Sequence, residues 1–324
     1  MAKFIGRLVK VGIGKESSRG VGVAASFTIP KTNYTFDDKA NKARSGEGLG
    51  NISGGGSKAI VTGRFSEGAL EGEINANSFG LLLLSTFGTD TPSAYSTSAF
   101  KHTYTLNNTN QHSSLSVHCE DSIGDVVFKG CMVDTLEIEV KQDEIVTFNA
   151  GLKGRKGNSD VFTPSFVSDY KFVSRDLEFK VAADVASLAA ASAVSIKSLK
   201  ITINKNTDYD WVLGTLEPED ILNKQFTIEG SIELNYEDRT WRDYMCNGDI
   251  KAIGIKLTNS RDTIGSAGNP ILYIELPTVD FSEWESDRKN DDISSQKINF
   301  NALYDVTNSR LVSEVSLTNT TATY

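Results

Sequence analysis

An alternation of apolar and polar residues with a period of two recurs along most of this chain, and it constrains the fold more than any other feature. Leu136, Ile138 and Val140 alternate with polar residues in DTLEIEVK, and Val146, Phe148, Ala150 and Leu152 do so in VTFNAGLK. Leu199, Ile201 and Ile203 follow in SLKITIN. The longest run places Phe226, Ile228, Gly230, Ile232, Leu234 and Tyr236 at every second position of FTIEGSIELNY. Successive side chains of an extended strand point to opposite faces, so each set lies on one face and its polar partners on the other. Such a chain folds as half-buried β-sheet. Pro92, Pro164 and Pro270 are expected between strands, as punctuation.

Helix signals are few. NSFGLLLLSTFG (77–88) and EDRTWRDYMCNG (237–248) carry Asn or Asp near the start and end at Gly, which takes the left-handed turn that closes a helix. VASLAAASAV (185–194) has helix-forming alanine, but its length and serine content also suit a loop. The two better helices each follow a strand, and those strands share Glu-Gly-x-Ile, in LEGEI from Leu70 and IEGSI from Ile228. HTYTL (102–106) and AIGIKLT (252–258) come next, then LSVHCED (115–121) and LYIELPTV (272–279). The copies lie about half a chain apart, far beyond a solenoid period, which implies a duplicated domain, 1–160 and 161–324. DDKANKARSGEGLGNISGGGSK (37–58) has no period at all. It is expected to be a long loop, either structureless or ordered only on a neighbouring subunit.

Composition bounds the function. The 324 residues, 39% of them hydrophobic, suffice for one large core or two ordinary ones. Apolar runs such as Leu81 to Leu84 are far too short to span a bilayer. MAKFIGRLVKVGIGKESSRG is basic but lacks the apolar stretch and cleavage site of a secretory signal, so folding in a cytoplasm is expected. Cys119, Cys131 and Cys246 have no paired spacing and are expected to be buried free thiols. The net charge of −9 opposes a tight grip on phosphate backbones, which needs clustered Lys and Arg.

No motif for chemistry survives inspection. GIGKESSRGVG (12–22) offers Gly12 and Gly14 to a dinucleotide but has Ser17 at the third glycine position, and no helical pattern follows. GNISGGGSK (50–58) ends in Ser57-Lys58 and lacks the Gly-Lys-Ser/Thr order of a phosphate loop. His102, His112 and His118 lie close in sequence, but no Cys or His pair gives zinc spacing, so surface or edge-strand histidines are expected. The carboxylates Glu120-Asp121, Glu217/Glu219/Asp220 and those of DFSEWESDRKNDD (280–292) read as solvated loop charges, not a glycosidase pair. Trp211, Trp241 and Trp284 are too scattered for a stacking platform. The expectation is no catalytic, cofactor-binding or metal-binding residue, and no cofactor.

Several segments resemble tail tube proteins of long-tailed bacteriophages. They are GRLVKVGIGKESSRGVGVAASFTIP, GRFSEGALEGEINANSFGLLLLSTFG, FKGCMVDTLEIEVKQDEIVTFNAGLKG, WVLGTLEPEDILNKQFTIEGSIELNYEDRTWRDYM and INFNALYDVTNSRLVSEVSLTNTTATY. The match runs in this order over most of the chain and is weakest at 170–195. The resemblance implies a mainly β fold, a tail-tube-type β-sandwich with short flanking helices, whose hairpins close with those of neighbours into a barrel around a channel. It implies a virion protein assembled in the host cytoplasm, with no membrane contact. The rings would stack head to tail, each of three chains with pseudo-six-fold symmetry or of six chains. Its other implied partners are the tape measure, tail terminator and baseplate proteins, with DNA passing through the channel and not specifically bound. The family has no catalytic residues to carry over. A head–tail connector or fibre domain, and a carbohydrate-active β-sandwich enzyme, stay open as alternatives.

Overall fold

The computed structural model describes residues 3–50, 52, 56–167 and 169–324. The first half contains β1 (Lys10–Lys15), β2 (Phe27–Ile29), β3 (Lys31–Tyr34), β4 (Asp37–Arg44), β5 (Ala59–Glu73), α1 (Gly80–Phe87), β6 (Gly88–Ser96), β7 (Ala99–Leu106), β8 (Leu115–Glu120), β9 (Asp125–Lys141), β10 (Thr147–Gly154) and β11 (Asn158–Ser159). The second contains β12 (Leu177–Ala182), α2 (Val185–Leu188), β13 (Ser198–Asn204), β14 (Asp208–Asp210), β15 (Asp220–Leu222), β16 (Thr227–Asn235), α3 (Thr240–Asn247), β17 (Lys251–Thr258), β18 (Ile271–Asp287), β19 (Ser295–Ala302) and β20 (Glu314–Asn319). The protein is mainly β, and its described strand pairings are antiparallel.

The alternating segments meet in one central sheet of order β5–β10–β9–β13–β16–β19–β18. Every second residue on one face is buried: Leu70, Phe148, Ile138, Ile201, Ile228 and Ile298 represent six of the strands, and Phe281 the seventh. Two long strands leave this sheet at one end. The first part of β9 joins β8, β1 and β2, and the first part of β18 joins β17 and β12 on one side and β20, β7 and β6 on the other. Apart from β6, these flanking strands contribute with α1 to the same apolar cluster as the central sheet. Every residue of α1 is buried, whereas α3 buries only Trp241, against Phe281 at 5.6 Å between ring centroids.

The two halves share a strand order. β1–β8–β9–β10–β5–β3 in the first corresponds to β12–β17–β18–β19–β16–β13 in the second, with a helix after β5 and another after β16. The first half inserts the hairpin β6–β7 after its helix, so β8 corresponds to β17 and β9 to β18. HTYTL is therefore not the counterpart of AIGIKLT, which is a correction to the sequence alignment of the halves. The inserted hairpin crosses over: Tyr104 of β7 pairs with Val315 of β20. The shared Glu-Gly-x-Ile has a packing reason. Gly72 faces Phe148 and Gly230 faces Phe300 in the neighbouring strand, and each ring lies over the space that a side chain would fill.

Two local expectations are corrected, and one left open is decided. The segment 37–58 is not a loop throughout, because Asp37–Arg44 forms β4 along β5. All eight of its residues are exposed, so burial imposed no alternation on its sequence. Asn51 and residues 53–55 of that segment lie outside the described residues. Pro92 lies within β6, not between strands, where a missing N–H is tolerated because among the described residues β6 pairs only with β7. The alanine-rich segment gives only one helical turn, Val185–Leu188, capped by Asp184 accepting from the Ser187 N–H. The other helices end as the sequence predicts, on left-handed Gly88 and Gly248. For α1, however, it is Asp169 from a distant segment that accepts the Asn77 and Ser78 N–H groups.

Candidate assembly interface

The polar face of the central sheet is strongly acidic. Cross-strand register puts Glu67, Glu71 and Glu73 of β5 on this face, with Glu137 and Glu139 of β9 and Glu229 and Glu233 of β16. Asp280, Glu283, Glu285 and Asp287 of β18 extend it. Its ammonium groups are Lys141, Lys153, Lys200 and Lys297, with Lys171 reaching Glu73 from outside the sheet, so carboxylates outnumber them more than two to one. Lys200 sits opposite Glu139 and bonds Glu137 at 2.8 Å, across the seam between β9 and β13 where the halves join.

Among the described residues, both borders of this sheet lack a strand neighbour. From Asp280 to Asp287, β18 pairs with β19 alone, and β3 and β4 pair with β5 alone. A groove of about 760 Å³ runs beside β3, lined by residues 6–10, residues 29–34 and Phe166. Unpaired sheet edges are templates for another chain.

The two ends of the sheet differ in chemistry. At one end, the turns after β9, β16 and β18 carry Asp143, Glu144, Glu237, Asp238, Asp291 and Asp292 against Arg239, Arg288 and Lys289, a net acidic set. At the other, the β4–β5 hairpin projects with Lys39, Lys42, Arg44, Lys58 and Arg64 beyond Asp37 and Asp38 at its base, with Glu47 as the carboxylate of its connection. Beside it, residues 211–216 expose Leu213 and Leu216 while Trp211 packs edge-on to Phe65. The loop after β19 adds exposed Tyr304 and Val306 at this end.

The residues weighed for chemistry are dispersed. His102, His112 and His118 are buried, not at the surface as expected, because each imidazole bridges distant groups. His102 lies between Asp90 and the Thr321 carbonyl, and His118 between Asp160 and the Val23 carbonyl. His112 contacts the Thr86 and Asn107 carbonyls. The cysteines are free, but only Cys131 is fully buried; Cys119 is half-buried and Cys246 exposed. Burial pushes the Cys119 thiol up to about 11, which disfavours the nucleophilic thiolate. Asp220 is not a solvated charge. It receives Arg19 Nη2 at 2.6 Å and Gln111 Nε2 at 2.8 Å, and although burial opposes it, the Arg19 hydrogen bonds hold its carboxyl below the usual range. Sequence reasoning also missed Glu16, buried and accepting from Ser114, Ser116, Gly20 and Gly130, and Lys205, fully buried. Burial first, and then the Arg19 charge, lower the Lys205 ammonium well below the lysine range. Among the described residues, no three His, Cys, Asp or Glu side chains gather as a metal site, and no helix is long and apolar enough to cross a membrane.

The model of one protein family, described as phage tail tube protein, matches residues 6–302. No curated protein matches the chain. That match spans nearly every strand described above, including both borders of the central sheet, and the mainly β, antiparallel fold agrees with it. The chain belongs to the phage tail tube protein family, whose members are structural components of the virion tail.

Proposed function

We propose that the protein polymerises into stacked rings around a channel through which DNA leaves the virion, and that it performs no catalysis. The observation that carries this is the central sheet, apolar on one face, acidic on the other, and bare along both borders. Copies joined border to border remove all four exposed edges of a pair but two, and closure into a barrel removes the rest. The acidic face then lines the channel and repels phosphates, so DNA slides without sticking.

The chain carries two tube-type domains, 1–160 and 161–324, which supports a ring of three chains with pseudo-six-fold symmetry. The common strand order of the halves and the repeated Gly–Phe packing favour this over six chains carrying an outer decoration. Rings stack head to tail because the two ends differ. The β4–β5 hairpin, basic and flanked by apolar side chains, reaches the acidic turns of the next ring, a heterologous contact that propagates as an open filament. The tape measure, terminator and baseplate proteins set the length and cap the ends, and assembly takes place in the host cytoplasm.

Electron microscopy of concentrated purified protein tests the reading. Hollow tubes built of stacked rings are expected. A protein that stays monomeric at all concentrations, or forms rings that never stack, overturns it.

A further inference from the structure

We infer that ring closure repeats a seam already built inside the chain, with the bare border of β18 around Asp280 pairing antiparallel with β3 of a second copy and Asn33 facing Asp280. Three copies then complete the circle. The inference rests on the tube reading and adds to it which edges meet, in what register, and how many times.

The internal seam is the template. Beyond its contact with β8, the second part of β9 is covered by β13 over Thr135–Lys141. β18 is the counterpart of β9, and β17 of β8. Beyond β17, the same border of β18 is bare. The counterpart of β13 in the first half is β3, since β13 lies on β16 as β3 lies on β5. One bare border thus lacks what the other supplies. Within one chain the two are the far ends of the central sheet, so the missing partner is a second copy.

The register follows from paired positions. Thr202 of β13 lies opposite Glu229 on one side and Glu137 on the other. Asn33 lies opposite Glu71, the counterpart of Glu229 in the shared Glu-Gly-x-Ile. Glu137 lies opposite Asn149, one residue after Phe148; Asp280 lies opposite Asn301, one residue after Phe300. Asp280 is therefore the counterpart of Glu137, and Asn33 of Thr202. Each bare edge also has its register shift next to this position, between Lys31 and Asn33 in β3 and between Phe281 and Glu283 in β18. The irregularities coincide, so neither strand throws the other out of phase.

Charge selects this pairing over the obvious rival. Two β18 borders placed together would oppose Asp280, Glu283, Glu285 and Asp287 to their own copies, and like charges opposite one another destabilise a sheet. The groove beside β3 has no carboxylate among its lining residues and presents Arg7 and Lys31.

Cysteines test the register. Asn33→Cys and Asp280→Cys, combined in a Cys246→Ser background, are assembled and oxidised, then run on a denaturing gel without reductant. Asn33 is exposed and Asp280 half-exposed, and the reduced variant is expected to melt as the parent does. Covalent dimers and trimers are expected, with nothing larger, and neither single-cysteine variant should cross-link. Tubes that form without this cross-link overturn the seam and leave the tube reading standing. A ladder running on to six chains overturns closure by three. Failure of the parent to polymerise at all overturns the tube reading and the seam with it.

Discussion

At Gly230 the ring of Phe300 lies where a β-carbon would go, and at Gly72 the nearest ring atom of Phe148 is 3.0 Å from that point. Gly230→Ala should therefore cost more than Gly72→Ala, about 2 kcal/mol by the usual penalty for overpacking a core. Urea unfolding of the dispersed subunit measures it, and Phe300→Leu in the same chain should restore part of the loss. The Arg19–Asp220 pair ties the loop after β1 to β15 of the second half. Asp220→Asn removes a charge-assisted bond but leaves Arg19 the His112 and Ile221 carbonyls, so about 1–3 kcal/mol should be lost. The carboxyl is held below its unfolded range, so this contribution is present above about pH 4 and disappears as pH falls through the lower, folded value. Melting curves of parent and variant should converge in acid. If the difference between them does not shrink as pH falls below about 4, another cause is at work. These partners were invisible in the sequence because they are brought together from far along the chain, as were the Thr321 partner of His102 and both partners of His118.

Elements that bury one face were legible. β9, β10, β13 and β16 announce themselves by alternation, and α1 and α3 end at the glycines that the sequence offers. β4 and β6 were not legible for a complementary reason: β4 buries nothing, and β6 is mostly exposed, so burial selected no pattern in either. The seam between β9 and β13, and the crossing of β7 to β20, are also silent in sequence, since pairing between distant strands leaves no local period. Exposure of β4 leads to an expectation for the hairpin. Deleting residues 40–56 should leave the melting temperature of the dispersed subunit nearly unchanged, because the side chains of β4 are exposed, and should abolish polymerisation. Calorimetry and electron microscopy of the same preparation check both halves of that statement, and intact tubes from the deletion would remove the hairpin from stacking.

For the whole molecule, the acidic face sets an expectation for DNA transit. Glu229→Lys with Glu233→Lys changes two positions of β16, inside the central sheet and away from both bare borders. Phage carrying the pair should still build tails, but release DNA more slowly and with a steeper dependence on salt, because phosphates would now be attracted. Release timed by dye access to the genome measures this, and unchanged kinetics would separate the channel from that face. The crossing hairpin has a consequence of another kind, for the order of events on the ribosome. Tyr104 pairs with Val315, so β7 emerges long before its partner exists. Until the last strand has been made, the β6–β7 hairpin offers an open edge, and the first half cannot lock by itself. Contacts this distant make closure a late and slow step, and nascent chains held with β7 exposed are open to mispairing with one another.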